Sequence, residues 1–153
     1  MELADVIAQL ESNGNQYAQR FERLHLGASS RGLLARIATA NKCSSATADV
    51  FAAMSHGLYQ IMGFRLYGDP STNKKNLGYT GSIASFLAQP TTQKILFYRY
   101  CEQSEILFSI DELITDAVKR AKFAEVYNGP ENVSAYSTRI LAAIRLGMPV
   151  FPA

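Results

Sequence analysis

The chain has no tryptophan, only two cysteines and little charge: Asp, Glu, Lys and Arg make up 18% of its 153 residues, against about a quarter in an ordinary soluble domain. Each shortage removes a class of protein. Two cysteines, Cys43 and Cys101, cannot staple a disulfide-built scaffold. Low charge beside 48% hydrophobic residues is the reverse of a disordered composition. Ten glycines and five prolines without a period exclude a collagen-like or linker-like chain. No apolar run reaches the roughly 18–20 residues that cross a bilayer. The start, MELADVIAQLES, lacks the basic first residues and apolar block of a signal peptide. These absences point to a cytoplasmic protein, or one made inside a host cell, with both thiols reduced.

Motifs for bond-making chemistry are also scarce. His25, His56 and the two cysteines share no ligand spacing such as C-x-x-C or H-x-x-x-H, so no metal is expected. G-x-S-x-G and the P-loop pattern are absent. Nothing local sets either thiol beside a histidine base, as nucleophilic catalysis requires. Asp111, Glu112 and Asp116 lie close together, but Ser109-Ile110-Asp111-Glu112 is a capping-box pattern, and helix capping accounts for at least two of the three acids. No catalytic residue is assigned, no cofactor is indicated, and an enzyme ranks last among the functional readings.

What the sequence does hold is helical periodicity. Leu3, Val6, Ile7 and Leu10 fall at i, i+3, i+4 and i+7, one apolar helical stripe. Tyr17, Phe21 and Leu24 continue that spacing past Asn13-Gly14-Asn15 and predict either a second short helix or a continuation of the first past a kink. Ser29 or Ser30, and then Ser44, are placed to cap helices at about 31–40 and from 45 onward. The second of these, with Val50, Phe51, Met54, Leu58, Ile61 and Met62 inward, is expected to be the longest, weakened at Gly57 by about 1 kcal/mol. Residues 67–81 form the longest loop. Residues 94–110 are read as helix and stay open to a small β-hairpin, because their aromatic and β-branched content suits either state. A helix from 110 to about 127 and another from about 131, stopped at Gly147, complete an all-α fold: a single-domain bundle of six to eight helices over residues 1–153.

The charge layout is uneven although the net charge is only +2. Between Arg20 and Lys75, eight basic residues face three acids; between Glu102 and Asp116 there are five acids and no base. Five tyrosines border or follow the long loop, and the end of the chain, from Leu146 on, is apolar and uncharged. Together these features point to a non-catalytic assembly or interaction subunit, coat-like or scaffold-like. Such a subunit is a homo-oligomer or binds a protein partner. Its expected contact residues are Arg31, Arg36, Lys42, Lys74, Lys75, Tyr79, Met148 and Phe151. Nucleic acid could be held through the basic stretch by its phosphates. Two alternatives stand behind this reading. One is a helical binder of a small molecule or cofactor near His56 or the thiols. The other is a helix-turn-helix nucleic-acid binder at 33–51, weakened by the absence of Arg or Lys at the start of its second helix.

Overall fold

In the computed structural model, which describes residues 1–147, the first apolar stripe forms helix α1 (Leu3–Ser12). Leu3, Val6 and Ile7 are buried, and Leu10 packs at the margin of the core. A capping box between Glu2 and Asp5 starts the helix, and Asn13, in the left-handed region at φ 53°, ends it. The helix expected at 17–24 is not formed. Gln19–Phe21 is a short strand, β1, with all three residues exposed, and Arg23–His25 is a single 3-10 turn. The three-residue spacing of Tyr17, Phe21 and Leu24 is incidental: Leu24 is 95% exposed.

Helices α2 (Arg31–Asn41) and α3 (Ser45–Ala52) follow with the predicted caps. Ser30 accepts from the amide of Leu33, and Ser44 from that of Thr47. The long helix expected beyond Ser44 breaks instead into α3, strand β2 (Met54–His56), strand β3 (Ile61–Met62) and helix α4 (Gly63–Tyr67). The three strands form one antiparallel sheet in the order β1-β2-β3, with Arg20 opposite Ser55 and Ser55 opposite Met62. The residue read as a weak point in a helix is what makes the hairpin. Gly57 has φ 78°, a region open to glycine, and its amide donates to the Ala18 carbonyl at 2.8 Å.

The hairpin therefore lies at 54–62 and not at 94–110. The latter segment contributes most of α6 (Pro90–Gln103), which follows α5 (Ile83–Leu87), and then a connector up to α7 (Ile110–Thr115). The helix expected to run from 110 to 127 is two helices. Asp116 accepts from the amides of Val118 and Lys119 and so opens α8 (Ala117–Asn128) as its cap. Lys119 and Arg120 thus stand at the start of α8, where they serve α7: Arg120 donates to the carbonyls of Leu113 and Ile114 at that helix's end. A 3-10 turn (Pro130–Asn132) leads into α9 (Val133–Arg145). Among the described residues there are nine α-helices and this one small sheet, a mostly helical fold as the periodicity predicts. No helix among them is long and apolar enough to cross a membrane.

One buried polar side chain ties the sheet to the helices. Gln93, fully buried on α6, accepts from the Leu58 amide at 2.7 Å with its carbonyl oxygen. Its amide group donates to the carbonyls of Phe86, Leu87 and Gln16. The tip of the hairpin, the end of α5 and the segment after α1 are thereby held at one point. A Cβ at Gly57 would lie 2.2 Å from the Gln93 oxygen. Gly57→Ala should therefore cost about 2–4 kcal/mol, combining left-handed strain with a disrupted buried hydrogen bond. Urea unfolding measures this; a loss below about 1 kcal/mol would show that the hairpin relaxes freely.

Candidate active site

Glu11 lies in the last turn of α1, four residues after Ile7 and eight after Leu3, on the stripe that faces the core. Helix α9 packs against this end. The hydroxyl of buried Tyr136 donates to Glu11 Oε1 at 2.5 Å. One turn on, the Arg139 guanidinium donates to the Leu10 carbonyl at 3.0 Å and sits over the Tyr136 ring. Burial pushes the Glu11 carboxyl above the usual 4.5. The Tyr136 bond and the positive charges of Arg20 and Arg139 oppose that rise without cancelling it. The carbonyl end of α1 acts in the same sense as burial, since a helix C-terminus disfavours a negative charge. Tyr136 is itself held well above the usual 10 by burial, so it stays a phenol and a donor.

The carboxyl opens into a cleft of about 730 Å³. Glu22, just beyond β1, lines the same cleft, and Arg20 braces it with Nε 2.5 Å from Oε1. The facing wall is the hairpin, at Gln60, Ile61 and Met62, with the end of α8 beside it. Gln60 sits at φ 48° and closes the hairpin on itself. Its amide group donates to the Gly57 and Ala18 carbonyls, and its oxygen accepts from Ser55 Oγ. Tyr127 reaches from α8 to the Tyr59 carbonyl at 2.6 Å. Its ring stacks on Phe123 and on Tyr136. The donor beneath Glu11 is thus one member of an aromatic stack that also fixes the hairpin wall.

The residues expected to make contacts do not gather at this cleft. Arg31 and Lys42 stand at opposite ends of α2, about 16 Å apart for eleven residues. Arg36 is exposed on the same helix and pairs with Asp69 at 3.0 Å. Lys74 meets Glu105 at 3.4 Å, an exposed pair that does join the basic and acidic stretches. Lys75 donates its amide to Asn73. Tyr79 is half-buried with its ring edge-on to Tyr67 and Phe86, so it serves the core. Met148 and Phe151 lie outside the described residues. His56 is buried on β2 with both ring nitrogens engaged, one by the Phe51 carbonyl and the other by Gln19; burial takes it down to about 4. Cys101 is pushed up to about 12 by burial, far from a reactive thiolate. Asp49, at the supposed reading helix, accepts from the Gly27 amide. Among the described residues, no three His, Cys, Asp or Glu side chains group as metal ligands.

Sequence reasoning missed Glu11 because it sought paired acids and nucleophiles. The available signal was different: a carboxylate on the apolar stripe of an amphipathic helix, at the turn where Asn13-Gly14 ends it. Glu22 had no comparable signal, since its position depends on a strand that the periodicity disguised.

A carboxyl group whose proton affinity is raised by burial, opening into a cleft that carries a second carboxylate, has the chemistry of a glycoside hydrolase site: when protonated it can give its proton to an acetal oxygen. Comparison with known proteins agrees with that class. Residues 4–145 match the Muramidase family, described as N-acetylmuramidase, and the chain belongs to that family. It is 36% identical over 148 residues to the endolysin of Enterobacteria phage PRD1, a match covering 92% of this chain and 93% of that protein. No solved structure matches the chain. The expected non-catalytic, coat-like or scaffold subunit is thereby overturned, and with it the structural, assembly and homo-oligomer reading of the tyrosines and charges. The cofactor-binder and helix-turn-helix alternatives fall on the same finding. The tyrosines belong instead to internal packing, as Tyr59 on Phe97 and Tyr127 on Tyr136 illustrate.

The titration of Glu11, followed by carboxyl carbon-13 resonances, should lie above the ordinary glutamate range. In Tyr136→Phe it should rise further, because the lost hydrogen bond favoured the charged form. An ordinary value that the substitution does not move would mean that the carboxyl is solvated.

Proposed function

We propose that the chain hydrolyses the glycosidic bond of N-acetylmuramic acid in peptidoglycan, with Glu11 as the general acid. The observation that carries this is the half-buried Glu11 carboxyl, hydrogen-bonded to buried Tyr136, at the cleft of a chain of the muramidase family. The Glu11 proton passes to the glycosidic oxygen as its bond to the anomeric carbon breaks. Positive charge then develops at that carbon, and Glu22, set in place by Arg20, is the negative group in the cleft that answers it. Water adds its hydroxyl to the carbon, and its remaining proton returns to the Glu11 carboxylate. The name of the phage relative, endolysin, supports a chain made inside a bacterial host and acting on that cell's wall.

Glu11→Gln should lower the release of reducing ends from purified peptidoglycan by at least about 100-fold, the lower range for a general acid. Glu22→Gln should lower it less, and mass spectrometry of borohydride-reduced products should find the new ends on muramic acid. A Glu11→Gln protein of near-normal rate, or new ends on glucosamine, would overturn the assignment.

Stability offers an independent check. Because the carboxyl is raised in the folded state, folding carries no penalty from Glu11 below its unfolded value. The penalty grows as pH rises through the folded value. Glu11→Gln should therefore melt at the same or a higher temperature than the parent at pH 7, while losing activity. A lower melting temperature would assign Glu11 a structural role.

A further inference from the structure

A second cavity, of about 570 Å³, adjoins the catalytic cleft and shares His25, Phe64 and Arg65 with it. The ridge between the two is aromatic, with the His25 and Phe64 rings 5.1 Å apart and the Arg65 guanidinium against Phe64. Beyond the ridge the lining is mostly apolar and carries a few charged groups, with one more base than acid. Arg36 and Arg65 line it against one acid, Asp69. Asp69 is engaged from behind by the amide and hydroxyl of Ser71, and its other oxygen meets Arg36 Nη1 at 3.0 Å. That pair orients the Arg36 fork and leaves its remaining N–H donors for an incoming group. Gly32, on the face of α2 that borders the cavity, has nothing within 4 Å of where a Cβ would stand, so the groove is open there.

Nothing in a glycan backbone calls for the Arg36 guanidinium, which lies outside the catalytic cleft. What the substrate does carry, on the lactyl ether of each muramic acid, is a peptide bearing carboxylates. We propose that this cavity is the seat of the anionic peptide stem, with Arg36 as its principal anchor and Arg65, shared by both cavities, joining stem recognition to glycan recognition. The inference rests on the muramidase reading and deepens it: the enzyme selects glycan whose stems are in place, and the long loop at 67–81 supplies one wall of the selecting site.

The test compares kcat/KM on soluble glycan strands that keep their stems with kcat/KM on the same strands after an amidase has removed them. The parent protein should prefer stem-bearing strands by about tenfold, the worth of one charge-assisted contact. Arg36→Ala should abolish the preference and leave the rate on stripped strands unchanged, because its exposed ion pair contributes little to folding. Gly32→Leu, which fills the groove without touching a charge, should do the same by a steric route. Equal rates of the parent on both substrates, or equal losses on both in Arg36→Ala and Gly32→Leu, would overturn the proposal while leaving the muramidase reading standing. Cleavage of neither substrate by the parent would overturn the muramidase reading and this proposal together.

Discussion

A carboxyl group placed on the buried face of the first helix is the constraint on which the rest of the structure turns. An ionised carboxylate taken from water without partners would not be tolerated. The chain meets that cost halfway. Tyr136, brought from the far end of the sequence by α9, offers one hydrogen bond, and the charges of Arg20 and Arg139 lend distant support. The balance leaves the proton held more tightly than in water but not locked in place.

Keeping that balance requires the surrounding wall to be rigid, and two left-handed backbone positions serve it. Gly57 and Gln60 take left-handed conformations so that a short hairpin can stand over the cleft. Gln93 holds the tip of that hairpin from α6, and Tyr127 holds its Tyr59 carbonyl from α8. The proposed general acid, its donor and the opposing wall thus come from the start, the end and the middle of the chain, and they meet through side-chain hydrogen bonds, from Tyr136 to the Glu11 carboxyl and between Gln93 and Tyr127 and the hairpin backbone. Such bonds fix direction as well as distance, which suits a site whose proton must be aimed.

How much of this was legible in the sequence follows from which interactions are local. Helix caps and stripes are local. Ser30, Ser44 and Ser109 each mark a helix start that the structure contains, and the Leu3–Leu10 stripe faces the core as the spacing requires. The small sheet was not legible because its strands are three, three and two residues long. Strands so short show no alternation, and Met54, Leu58, Ile61 and Met62 mimic a helical stripe. Asp116 shows the opposite case: read as one more acid on a long helix, it begins a new one. The site was opaque for a further reason. Arg36 was singled out for its charge, but a cavity shared between α2, α4 and the long loop has no sequence period. Glu11 and Tyr136, 125 residues apart, leave no joint mark in a single sequence.

The proposed hydrolysis depends on Glu11 holding the proton that breaks the bond. The most direct test is the pH dependence of kcat/KM on soluble peptidoglycan strands, set beside the titration of the Glu11 carboxyl in the same free enzyme. The alkaline fall in kcat/KM should coincide with loss of the Glu11 proton, since kcat/KM reports the essential groups of the free enzyme. A rate that stays level through that titration, or falls at a pH where Glu11 does not change charge, would contradict it.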